Sequence, residues 1–66
     1  MDLHLTDEEG SELTLLLDRA VADLGDEIAG TDRASYRKEL QAERALVGGI
    51  RDRVRAASAR ATRQIA

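Results

Sequence analysis

The stretch LTLLLDRAVADLGDEIAGTDRASY, residues 13–36, decides the fold, because it holds the end of one amphipathic helix, a break and the start of another. Before the break, apolar side chains recur every three or four residues and fall within one stripe about 140° wide. The stripe consists of Leu13, Leu16, Leu17, Ala20, Val21, Leu24 and Ile28. Gly30 tolerates the left-handed backbone that ends many helices, so we expect this helix to stop near Ala29.

The start of the first helix carries a capping signature. Thr6 is a favoured N-cap residue, Glu9 completes the capping-box spacing, and Asp7 and Glu8 add negative charge at the positive end of the helix dipole. A helix is therefore predicted over residues 7–29. Residues 1–5 alternate apolar and polar side chains over too short a run for a strand, which predicts an extended lead-in.

A second helix is predicted over residues 33–60, with Asp32 as the preferred cap. Its seam consists of Tyr36, Leu40, Glu43, Val47, Ile50, Val54, Ala57 and Ala61. Gly48 and Gly49 are expected on the opposite side of the helix and cost about 1 kcal/mol each relative to Ala, so a break there stays open. Residues 57–66 have a single large apolar side chain, Ile65, and are predicted to form a basic tail that frays.

The sequence therefore predicts an all-α protein, an antiparallel two-helix hairpin that forms a single domain over residues 1–66. With 66 residues, no Pro and 35% charged residues, the chain suits long helices but has little volume for a core of its own. Two helices alone would leave each stripe half exposed, so we expect a homo-oligomer, most simply a dimer that forms a four-helix bundle. The predicted function is that of a small helical interaction or structural module, which could also dock an unidentified protein partner. The candidate interface comprises Leu13, Leu15, Leu16, Val21, Leu46, Val47, Ile50 and Val54, and an exposed Leu15 is the strongest indication.

Charge is divided unevenly along the chain. Residues 1–33 contain ten acidic and two basic side chains, whereas residues 34–66 contain three acidic and eight basic ones. Closing a turn at 30–33 would pair Gly10 with Val54 and bring Glu27 beside Arg37 as a structural ion pair. The same pairing would bring three arginines near the N-terminal carboxylates, namely Arg51, Arg53 and Arg55 near Asp7, Glu8, Glu9 and Glu12. The alternative is a nucleic-acid-associated regulatory protein that uses the basic C-terminal helix, although no aromatic residues for base stacking accompany it.

The composition of the chain argues against several functional classes. The chain has no Cys and a single histidine, His4, so we expect neither a metal site nor a cofactor. The acidic cluster at Asp7–Glu9 is better explained as a helix cap than as a calcium site, because the spacing of a calcium loop is absent. We expect no enzyme. The longest uncharged stretch, Ala45–Ile50, has six residues, which predicts a soluble cytoplasmic protein without a membrane span.

A resemblance to a known group of proteins rests on short elements of this pattern. These elements are Leu5-Thr6-Asp7-Glu8-Glu9, Leu13, Leu17, Glu27-Ile28, Thr31-Asp32, Tyr36-Arg37 and Leu40. Together they resemble short, uncharacterised bacterial helical-hairpin proteins over residues 5 to 54. The resemblance implies a hairpin fold and a bacterial origin, and it supplies no functional residue. The chain departs from the pattern at Gly10, at Gly48-Gly49 and in its basic tail.

Overall fold

The computed structural model describes the backbone of residues 1–65 and the side chains of residues 1–58. Its regular elements are two helices, α1 over Asp7–Gly30 and α2 over Ala34–Ile65, which pack against each other as a hairpin. The molecule measures 49 × 22 × 15 Å. The predicted all-α class is confirmed, and no strand occurs in residues 1–65. Both helices end later than predicted, α2 by about five residues.

The N-terminus of α1 forms the predicted capping box. The backbone N–H of Glu9 donates to Oγ1 of Thr6 at 3.1 Å, and the backbone N–H of Thr6 donates to Oε1 of Glu9 at 2.9 Å. The pKa of Glu9 is lowered mainly by the hydrogen bond that its carboxylate accepts from the Thr6 backbone. The hydrogen bond with the Thr6 side chain lowers this pKa further. Residues 1–6 precede the helix without regular structure.

The turn between the helices differs from the predicted glycine cap. Gly30 is the last helical residue and has no positive φ, while Thr31 leaves the helix in an extended conformation with φ −100° and ψ 137°. Oγ1 of Thr31 accepts a hydrogen bond from the backbone N–H of Arg33, and its carbonyl accepts one from Nη2 of Arg37. The helix α1 therefore ends at Thr31, whose side chain and carbonyl accept hydrogen bonds from the following residues. No residue at this end adopts the left-handed conformation.

The pairing of the helices is about one turn away from the predicted pairing. Gly10 lies against Ser58 and not, as predicted from the turn, against Val54. The side chain nearest to Gly48 is that of Val21. Extended residues rise about 3.3 Å each against 1.5 Å in a helix, so residues 31–33 carry α2 past the end of α1 before it turns back. Every cross-helix pair is consequently shifted along α2.

α2 remains helical through its two glycines, which resolves the question of a break. Gly48 is half-buried and faces α1, since a Cβ built there would lie 4.0 Å from Cγ2 of Val21. The expectation that both glycines lie opposite the seam is therefore wrong for Gly48, whereas Gly49 is exposed. The helix also continues through residues 57–65 of the predicted tail. The side chains after Ser58, including that of the predicted seam residue Ala61, and the whole of Ala66 lie outside the described residues.

The hairpin encloses very little core. Among residues 1–58, Leu40 is the only buried large apolar side chain, at 4% exposure, and Gly10 is buried beside Ser58. The remaining seam is half-buried: Leu13, Leu17, Ala20, Val21, Leu24 and Ile28 on α1, and Val47, Gly48, Arg51, Val54 and Ser58 on α2. The seam of α2 is rotated from the predicted one, because Glu43 and Ala57 are exposed while Arg51 turns inward.

Candidate functional site

One broad face of the hairpin is held together by polar contacts. Oδ1 of Asp18 accepts from Nη1 of Arg51 at 3.3 Å, and Oδ2 of Asp18 accepts from Nη2 of Arg55 at 3.1 Å. On the same face, Nε of Arg44 donates to the carbonyl of Val21 at 3.1 Å. Its guanidinium lies over Gly25, where an added Cβ would meet Nη2 at 3.4 Å. This polar face joins the acidic helix to the basic helix.

The opposite broad face is apolar. Successive helical residues are rotated by about 100°, so Leu16 lies on the side of Leu17 away from Asp18. On α2, Ile50 is likewise rotated away from Arg51. We call this surface the apolar face, and it consists of Leu13, Leu16, Ala20, Leu24, Tyr36, Leu46, Val47, Ile50 and Val54.

Much of the apolar face is open to solvent. Leu16 is 50% exposed, Leu46 66%, Ile50 42% and Tyr36 45%. Scattered exposed apolar residues are normal on a monomer, but a contiguous apolar patch marks an interaction surface. Since α1 and α2 both contribute to the patch, the hairpin must fold before the surface exists.

Charged residues border the apolar face unevenly. By helical rotation, Glu9 and Glu27 lie within about 20° of Leu16 on α1, and Asp23 lies just beyond Leu16; all three are exposed. On α2, the exposed Glu39 and Glu43 lie within about 20° of Ile50 nearer the turn, and Arg53 lies nearer the open end. Apolar side chains therefore fill the middle of this face and charged ones lie toward its ends, a mixture that protein interfaces also contain.

At the open end of the hairpin, the lead-in lies beside both helices. A cavity of about 350 Å³ is lined there by Leu3, His4, Leu5, Thr6, Asp7, Gly10, Arg53, Val54, Ala57 and Ser58. Leu3 is 66% and Leu5 41% exposed, so the lead-in adds apolar surface next to Val54.

The eight residues of the predicted interface do not all share one surface. Six of them lie on the apolar face: Leu13, Leu16, Leu46, Val47, Ile50 and Val54. Val21 instead faces Gly48 within the hairpin. Leu15 is 52% exposed but lies on the Asp18 side of α1, away from the apolar face.

The ion pairs differ from those that the sequence predicts. The pair between Glu27 and Arg37 is not formed, because Arg37 donates to the carbonyl of Thr31 and no ion pair among residues 1–58 includes Glu27. Arg51 and Arg55 bind Asp18, not the carboxylates of Asp7, Glu8, Glu9 and Glu12. The sequence pattern does not single out Asp18 as an ion-pair residue, because it lies at the edge of the apolar stripe. Its position directly after Leu17 is the one indication that it lies close to α2.

The described residues contain no group of three or more potential metal ligands. His4 is exposed in the lead-in. Neither described helix is long and apolar enough to cross a membrane.

Comparison with known proteins finds no family model, no curated protein and no solved structure that matches this chain.

Proposed function

We propose that this chain is a small self-associating helical module that forms a homodimer through its apolar face and builds a four-helix bundle. The observation that carries the proposal is the incomplete core, in which Leu40 is the only large apolar side chain buried among residues 1–58. A second hairpin would cover Leu16, Ile50 and Tyr36 and supply the missing side of the seam.

The exposed area supports a partner of this size. A compact monomer of 7.2 kDa exposes on the order of 4,100 Å², whereas this chain exposes 5448 Å². The excess of about 1,300 Å² per chain exceeds the roughly 800 Å² that each partner buries in a standard interface. A bundle of two hairpins would remove much of this excess from water.

Nucleic-acid binding has less support. Two of the arginines that would have to contact phosphate, Arg51 and Arg55, are bound to Asp18 on the polar face. Phosphate contacts need cationic groups that are free to replace counterions. The proposal accordingly assigns Arg51 and Arg55 to pairing within the hairpin.

Two neighbouring leucines provide a matched test. Leu16 and Leu15 are equally exposed, at 50% and 52%, but only Leu16 lies on the apolar face. Sedimentation at micromolar concentration should show a dimer for the natural chain and for Leu15→Glu, and a monomer for Leu16→Glu. Circular dichroism of each variant checks that the helices persist. A folded monomer for the natural chain, or equal effects of both substitutions, would contradict the proposal.

A further inference from the structure

The two helices of the hairpin carry opposite net charge. α1 contains eight acidic residues and one basic residue, whereas α2 contains three acidic and eight basic residues. In the hairpin, each helix lies beside the other, and Asp18 bound to Arg51 and Arg55 is the direct contact. On the apolar face, the other flank of each helix is not covered by a neighbouring helix.

A second copy can cover that flank in two symmetric ways. If the turn ends of the two hairpins lie together, α1 of one copy packs on α2 of the other. If the turn ends lie at opposite ends, α1 packs on α1 and α2 on α2. Both arrangements bury the apolar face, so apolar contact alone does not choose between them.

Charge distinguishes the two arrangements. With opposed turns, two acidic helices become neighbours and so do two basic helices. With the turns together, every helix is flanked by two helices of opposite charge, and like-charged helices lie only across the diagonal. Screening at physiological salt weakens interactions beyond about 8 Å, so adjacent helices count for more than diagonal ones. Like-charge contacts across an interface also select against the wrong arrangement.

We infer that the occupant of the apolar face is a second copy of this chain with its turn at the same end. This inference rests on the proposed function. Because Asp18 lies level with Arg51, Leu16 of one copy comes level with Ile50 and Arg53 of the other. At this register Arg53 of one copy lies about one helical turn from Glu12 of the other. Near the turn, Glu27 of one copy comes close to Glu39 and Glu43 of the other, which opposes this arrangement locally, so the preference rests on the net charges of the helices.

Spin labels test the arrangement directly, because the chain has no cysteine of its own. Ser35→Cys marks the turn end and Glu8→Cys the open end, and both side chains are exposed. With turns together, each labelled dimer gives a distance of about 20 to 35 Å, set by two helix diameters and the label linkers. A mixture of the two labelled chains gives a longer distance, close to the 49 Å length of the hairpin. Circular dichroism checks the fold of both.

The possible outcomes separate the inference from the proposed function. Opposed turns would reverse the pattern, with a long distance for Ser35→Cys alone and a short one for the mixture, and this result would overturn the inference while leaving the dimer intact. The absence of any coupling between copies at concentrations where the chain is folded would overturn both. Dilution with excess unlabelled chain must remove the signal, which excludes nonspecific contact.

Discussion

Gly10 and Ser58 meet so closely that a methyl group on Gly10 would lie 2.7 Å from the Oγ of Ser58. Real Cβ atoms essentially never approach a neighbour this closely, so an alanine would have to displace the hydroxyl. The contact brings the first turns of α1 and the C-terminal half of α2 together at the open end of the hairpin. Gly10 is buried there, beside the cavity next to the lead-in.

This contact predicts a coupling between the two positions. Gly10→Ala should give little or no stabilisation in the natural chain, because the gain in helix propensity is offset by the displaced hydroxyl. In a Ser58→Ala background the same change should stabilise the protein by up to about 1 kcal/mol. Urea unfolding of the four chains of this double-mutant cycle measures the coupling. Equal effects of Gly10→Ala in both backgrounds would show that the two residues do not constrain each other.

The polar face makes a prediction about salt. Asp18→Asn removes the shared partner of Arg51 and Arg55 and should lower the free energy of unfolding by about 1 kcal/mol at low salt, since these side chains are only partly exposed. The loss should shrink in 1 M NaCl, where the charges are screened. Asp26→Asn is the matched control on the same helix, because Asp26 is exposed, lies on the side of α1 away from α2 and forms no ion pair among residues 1–58. An equal loss for both variants would assign the effect to general charge.

The capping box predicts a dependence of stability on pH. The pKa of Glu9 is lowered by its hydrogen bonds with Thr6, so its contribution is complete above the ordinary value of 4.5 and is lost as pH falls through the lowered value. Thermal unfolding between pH 6 and pH 2 should show a loss for the natural chain that is smaller in Glu9→Gln. Glu8→Gln, next to it but outside the capping box, should keep the full pH dependence. If Glu9→Gln left the profile unchanged, the box would not supply this stability.

Gly49, the exposed glycine of α2, is expected to lower the stability of the helix without making a contact across the hairpin. An added Cβ at Gly49 has no neighbour within 4 Å, and the residue lies in the middle of a continuous helix. Gly49→Ala should therefore raise the free energy of unfolding by about 1 kcal/mol. Gly30→Ala also has open space, but it lies at the end of α1 and should gain less. A loss of stability in Gly49→Ala would mean that another surface packs against this position.

Local signals in the sequence identify the helices well. Thr6 and Glu9 mark the start of α1 because the capping box is formed by residues three apart, and the apolar period from Leu13 to Ile28 marks its extent. The pairing of the helices was harder to predict, because it depends on how far residues 31–33 advance along the axis. An extended Thr31, not a left-handed Gly30, shifts α2 by about one turn and replaces the predicted partners of Gly10 and Arg51.

Six of the eight predicted interface residues lie on one face because helical periodicity is a property of the sequence. Periodicity alone does not tell which flank of each helix faces its neighbour, so it groups Leu15 with Leu16 although the two lie about 100° apart around the helix. The cross-hairpin contacts of Asp18 with Arg51 and Arg55, and of Arg44 with Val21, establish which flank is closed and which is open. Helix formation depends on neighbours three or four residues apart, whereas the open apolar face depends on residues brought together from both halves of the chain.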